Sequence, residues 1–126
     1  MITKIGKKIL FVEDDKDFLS ILKTKFISEG FSVVTAEDGE DGVIVAKREK
    51  PDLIFSDVLM PKMDGLEMAK KIKESGSNAI IIFLTNIKDV SYTDNIKKIG
   101  DFDYLIKSDL RIADIVEKAK TKLGLK

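Results

Sequence analysis

The stretch LIFSDVLMPKMDG, residues 53–65, decides how this chain is read. Leu53, Ile54 and Phe55 follow one another without a polar residue between them, and the run stops at Asp57. A strand covered on both faces by helices explains the lack of alternation, because neither face can then be polar. Asp57 therefore belongs at the carboxyl end of a central strand. Pro61 disfavours helix at Met60, and Asp64-Gly65 supplies a turn before the next helix. The carboxylate is presented on a rigid rim.

Upstream, KILFV (residues 8–12) is a first buried strand that ends against Glu13, Asp14 and Asp15. Asp15 or Asp17 can cap a following helix in which Phe18, Ile21, Leu22 and Phe26 recur at helical spacing, with Gly30 as its stop. Residues 31–35 form a short strand rich in β-branched side chains. Asp38 then caps a helix carrying Val43, Ile44 and Ala46, and Pro51 closes it. Downstream of Asp57, one helix has Leu66, Ala69 and Ile72 on one side and Lys70, Lys71 and Lys73 on the other. The most apolar strand, residues 79–84, ends at Thr85-Asn86. Residues 88–99 are expected to be helical, although Val90, Ser91, Tyr92 and Thr93 contribute little propensity. Residues 102–106 alternate as an edge strand does, with Lys107 at the end. A last helix from about Leu110 aligns Ile112, Ile115, Val116, Ala119 and Leu123.

Five strands alternating with five helices through short connections imply an α/β fold, a doubly wound parallel sheet with right-handed crossovers. Ligands of such sheets bind outside the carboxyl ends of the strands. Here those ends carry Glu13 and Asp14, then Asp57, then Thr85, then Lys107.

The totals narrow the function. A chain of 126 residues suffices for one domain with its own core. With no cysteine there are neither disulfides nor thiolate metal sites, and with no histidine there is no imidazole base, ligand or pH switch. Twenty-two basic and 22 acidic residues cancel, so no whole-chain field draws the protein to nucleic acid or an anionic membrane. The N-terminal lysines and apolar run meet three acids too soon for a signal peptide, and no run approaches a spanning helix. A cytoplasmic domain that touches neither nucleic acid nor membrane directly is expected.

Three gathered carboxylates resist joint ionisation unless a cation neutralises them. Magnesium, a hard ion that takes few protein oxygens and shares its site with phosphate, suits them. Asp14 and Asp57 would be direct ligands, a backbone carbonyl just past Asp57 a third, and Glu13 would act through water. A carboxylate beside magnesium can also attack phosphorus, with Lys107 and Thr85 available for the phosphoryl oxygens. Singly, each residue has a plainer explanation: Asp14 or Asp15 as helix cap, Thr85 as strand end, Tyr104 as packing, Lys107 as solvated charge, Asp57 as the start of a turn. Their occurrence at successive strand ends of one pattern is what those explanations leave out.

FVEDD at the first strand, DVLMPKMDGLE around Asp57, FLTN at Thr85 and DYLIKS at Lys107 resemble, in order and over essentially the whole chain, the receiver domain of two-component response regulators. The resemblance implies a flavodoxin-like sheet of order 2-1-3-4-5 and a phospho-accepting switch rather than an enzyme. It implies that Asp57 accepts a phosphoryl group from a phosphohistidine of a histidine kinase or histidine phosphotransfer protein. Glu13, Asp14, Asp57 and the Leu59 carbonyl would hold Mg2+, Thr85 and Lys107 would bind the phosphoryl oxygens, and Thr85 and Tyr104 would switch. A face built from the fourth helix, fifth strand and fifth helix would then engage a downstream protein, with room for a phosphorylation-dependent homodimer. Residues 1–126 read as a single receiver domain with a short extension over 1–6 and no output domain.

Three departures stand out. Serine, not proline, follows Lys107, so a trans peptide is expected there, and Ser108 or Asp109 offers a cap for the last helix. Phe102 stands where the family usually has a small residue, and Glu13 where aspartate is more usual. Leu59 and Ile87 flank the site without a polar group to orient water, so a long-lived phosphorylated form is expected. The competing readings are a phosphorylation-independent docking module, suggested by Ser108, and a dehalogenase-like phosphohydrolase. The hydrolase needs a second acid where Leu59 stands.

Overall fold

A computed structural model describes residues 5–60, 62–85 and 102–125. The chain alternates β1 (Lys8–Val12), α1 (Lys16–Ser28), β2 (Ser32–Ala36), α2 (Gly39–Glu49), β3 (Leu53–Ser56), α3 (Gly65–Glu74), β4 (Ile80–Thr85) and β5 (Asp103–Ile106). A short 3-10 turn (Lys107–Asp109) then leads to the C-terminal helix α4 (Ile112–Lys122). The helix expected over 88–99 lies outside the described residues.

All five strands are parallel, in the order β2-β1-β3-β4-β5, so the expected doubly wound sheet is present with β5 at one edge. Burial on both faces explains the unbroken apolar strands, because neighbouring residues of one strand serve different cores. Leu10 and Val12 of β1 join Ile54, Met68, Ile72, Phe83 and Phe102 on the α2–α3 side. Ile9 and Phe11 join Leu22, Phe26, Phe55, Ile82, Ile115 and Ala119 on the α1–α4 side. There the Phe11 and Phe55 rings stack at 5.4 Å, and Phe26 meets Phe11 edge-on at 4.9 Å. Each such side chain removed from water contributes about 1.5–3 kcal/mol. Phe102, noted in the sequence for its size, is buried against Phe83, edge-on at 5.7 Å.

Caps fix the helix starts. Asp15, not Asp17, caps α1, its Oδ1 accepting the Asp17 and Phe18 N–H groups at 3.1 Å each. Asp38 accepts from Asp41 N–H at 2.8 Å, and Asp64 from Glu67 N–H at 2.8 Å. The last helix departs from expectation. It begins at Ile112, and neither Ser108 nor Asp109 caps it, because both are taken up in the turn that follows Lys107. Its start is fixed from inside, by the Asp114 carboxylate accepting the Arg111 N–H at 2.9 Å.

Candidate functional site

The register of the sheet brings the strand ends to one rim. Val12 lies opposite both Ala36 and Ser56, Ser56 opposite Phe83, and Thr85 opposite Ile106. Glu13, Asp57 and Lys107 are each the first residue past their strand. The ladder also reaches one residue further: Glu13 N–H donates to Ala36 O at 3.0 Å, and Asp57 N–H to Val12 O at 3.2 Å. Both acids therefore stand on backbone fixed by neighbouring strands.

Glu13, Asp14 and Asp57 bring carboxylate oxygens within 4.8 Å of one another, Glu13 buried, Asp57 half-buried and Asp14 exposed. Lys107 Nζ enters this group and donates to Glu13 Oε1 at 2.8 Å and to Asp57 Oδ2 at 3.0 Å. Asp57 Oδ1 accepts the Val58 N–H at 2.7 Å, so both of its oxygens are held. The peptide after Lys107 is trans, as expected for serine at 108, and the side chain still reaches the acids.

Burial pushes the Glu13 carboxyl upward, and the nearby Asp57 and Asp14 charges add to this; the bond and charge of Lys107 offset only part of it. Burial alone would lower Lys107, but its hydrogen bonds and attraction to two acids outweigh that and raise it. The two directions agree physically, since the lysine faces two opposite charges while Glu13 faces one cation and two like charges. Three carboxylates against one ammonium leave the cluster short of positive charge.

The donor set fits magnesium. All the side-chain donors are oxygen, neither histidine nor cysteine exists in the chain, and the acids lie close enough to share one hard cation. Leu59, whose carbonyl completes the expected set, lies two residues past Asp57 and is 58% exposed.

Thr85 is buried at the end of β4. Tyr104 is half-buried on β5, opposite Phe83, and packs on the α2–α3 core. Ile87 lies outside the described residues. Two neighbours of the site escaped the sequence reading. Ser56 Oγ, fully buried, donates to the Asp57 carbonyl at 2.8 Å and braces the turn from below. Phe18, expected only as part of a core stripe, faces the Lys107 ammonium. Its position four residues past Asp14, on the first turn of α1, places it near the rim but gives no sign of Lys107 above it.

Gly39 and Gly65 hold the loop after Asp57 in place. A Cβ on Gly65 would overlap the Asp57 carbonyl, and one on Gly39 would overlap the Met63 carbonyl. Lys62 in the same loop has a left-handed φ of 69° and pairs with the capping Asp38 at 3.6 Å. Among the described residues no helix is long and apolar enough to cross a membrane.

Comparison with known proteins agrees with this geometry. The model of the response regulator receiver domain matches residues 9–120. The alkaline phosphatase synthesis transcriptional regulatory protein PhoP of Bacillus subtilis is 36% identical over 104 residues, covering 82% of this chain and 43% of PhoP. The transcriptional regulatory protein GlrR of Escherichia coli is 37% identical over 99 residues, covering 79% of this chain and 22% of GlrR. The chain thus spans less than half the length of these relatives. Among solved structures, a two-component response regulator from Clostridium difficile superimposes with a TM-score of 0.87 at 30% identity, covering 94% of this chain and 97% of that one. A CheY-like receiver domain protein from Methanospirillum hungatei gives 0.87 at 27% identity, covering 94% of each chain. With the match spanning nearly its whole length, the chain belongs to the receiver-domain family of two-component response regulators.

Proposed function

We propose that Asp57 is the phospho-acceptor of this receiver domain and takes its phosphoryl group from a phosphohistidine of a histidine kinase or histidine phosphotransfer protein. The observation that carries the reading is the Asp57 carboxylate, 3.0 Å from the Lys107 ammonium and within the cluster of Glu13 and Asp14. An Asp57 oxygen forms the new P–O bond as the P–N bond breaks. The electron pair of that bond stays on the imidazole nitrogen, which takes up a proton and leaves neutral. Phosphoryl transfer asks mainly for position and charge neutralisation. The Val58 N–H orients the acceptor, Lys107 exchanges its carboxylate partners for phosphoryl oxygens, and the Thr85 hydroxyl serves as a second ligand. Glu13, Asp14, Asp57 and the Leu59 carbonyl would hold Mg2+, which supplies further neutralisation of the phosphoryl oxygens when bound.

The output is a change of surface. Drawing Thr85 toward the phosphoryl group and Tyr104 inward reshapes the face that includes β5 and α4, and a downstream protein or a second copy binds the altered form. A charge event biases a two-state element, and the partner shifts the same equilibrium. Self-dephosphorylation is slow, because the aliphatic Leu59 offers no polar atom to orient a hydrolytic water.

Incubation with acetyl phosphate and magnesium, read by intact mass, tests the reading. One stable phosphoryl addition, absent in Asp57→Ala, is the expected result. Steady turnover of acetyl phosphate would replace it with the hydrolase, and an unchanged mass with the docking module. The phosphorylated form is expected to outlast the minute scale with magnesium present; decay within seconds would refute the role given to Leu59.

A further inference from the structure

The Lys107 ammonium has a third neighbour besides its two carboxylates. Its Nζ stands over the ring of Phe18, 5.0 Å from the centroid. We propose that Phe18 is a positioning residue for phosphoryl transfer, its ring face anchoring the Lys107 ammonium at the α1 wall of the acid pocket. The inference rests on the reading of Lys107 as a ligand of the phosphoryl oxygens.

Three observations support it. First, the ring is fixed. Phe18 sits in the first turn of α1, its N–H bonded to the capping Asp15 at 3.1 Å, and it packs on the α1–α4 core. Second, it is placed differently from the two buried members of its stripe, Ile21 being exposed to solvent. Leu22 and Phe26, one and two turns further along, are essentially fully buried, whereas Phe18 is half-buried at the rim. A residue there can serve the core with one side and the pocket with the other. Third, the backbone turn does not by itself preset the Lys107 side chain. Serine at 108 presets no dihedral as proline would, and the Lys107–Asp109 turn has no side-chain cap.

The ring face also differs in kind from the other two partners. Glu13 and Asp57 are the groups whose charge is drawn away when a divalent cation or a phosphoryl group arrives. The face of an aromatic ring attracts an ammonium through its quadrupole and enters into neither exchange. It is the contact that persists while the lysine changes partners. An aliphatic side chain of similar size would fill the space without the attraction.

The test uses the full chain with residue 18 replaced, site-specifically, by mono-, di- and trifluorinated phenylalanine, which keep the shape while weakening the ring quadrupole. Rates of phosphorylation by acetyl phosphate with magnesium are read by intact mass, alongside the thermal midpoint. A graded fall is expected, reaching about three- to tenfold at the trifluorinated ring. Phe18→Leu should match that loss and Phe18→Tyr should retain the parent rate, with thermal midpoints unchanged along the fluorinated series. In a Lys107→Met background the series should be flat. A flat series in the parent chain, or an equal fall in the Lys107→Met background, would overturn the role of Phe18 alone. Lys107→Met phosphorylated at the parent rate would overturn the reading of Lys107 and the role of Phe18 with it.

Discussion

Lys107 is the single side chain on which the site balances. Removing its charge in Lys107→Met leaves Glu13 and Asp57 facing each other without compensation. Loss of one partner from a fully buried pair costs about 3–5 kcal/mol; here the side chains of Lys107 and Asp57 are 14% and 17% exposed, and water screens part of the effect. Urea denaturation should therefore show a loss of about 1–3 kcal/mol. Added magnesium should restore more stability to this variant than to the parent, because the freed acids bind the ion without a competing ammonium. The carboxylates, the threonine and the lysine were legible in the sequence because each stands at or just past the end of a strand, and strand ends of a doubly wound sheet share a rim. Phe18 was not legible. Its spacing is that of the core stripe, and only the path of the turn after β5 brings Lys107 over its ring.

Among the elements, α2 and the loop after β3 depend on each other. In Gly39→Ala the added methyl group meets the Met63 carbonyl, a backbone atom that cannot swing aside. The substitution should cost about 1–3 kcal/mol in a thermal or urea melt. It should also slow phosphorylation at Asp57, because the same loop carries both. The other end of α2 predicts the opposite sign. Lys50 closes the helix with φ 47° and ψ 60°, a left-handed conformation suited to glycine. Lys50→Gly should raise stability by about 0.5–1 kcal/mol in the same melt, without changing the rate at Asp57. The helices whose caps were read from the sequence, α1 at Asp15 or Asp17 and α2 at Asp38, begin where a short polar side chain precedes an apolar stripe, and Asp64, read only as a turn, caps α3 in the same way. The C-terminal helix does not follow that rule. Its acid lies inside the first turn and reaches back, and Ser108 and Asp109, the better-looking caps, are spent on a turn that delivers Lys107 to the pocket.

For the molecule as a whole, two acids give stability opposite dependences on pH. Burial raises Asp103, but ion pairs with Lys118 at 2.7 Å and Lys122 at 3.1 Å, with the Tyr104 N–H, carry it below the usual aspartate value. A lowered acid releases its proton on folding. The stability it contributes is full above the unfolded value of about 3.9 and is lost as pH falls through the folded value. Glu13, raised by burial, behaves in reverse: its charge costs stability at neutral pH, and the cost shrinks as pH falls through the folded value and is gone below the unfolded value of about 4.3. Asp103→Asn should flatten the acid limb of a stability profile below about pH 4, and Glu13→Gln should raise stability near neutrality, both in equilibrium denaturation across pH. A steeper acid limb in Asp103→Asn would refute the first. That the sheet is parallel could be inferred from the alternation of elements, since parallel strands need crossovers; its order came only with the family resemblance. The ion pairs joining β5 to α4 could not, because lysines along the last helix look alike until its rotation is fixed. The bond from Lys107 to Glu13 joins residues 94 apart in sequence. A nascent polypeptide therefore exposes its acidic residues long before their counter-charge leaves the ribosome, and the acid pocket is complete only once Lys107 has emerged.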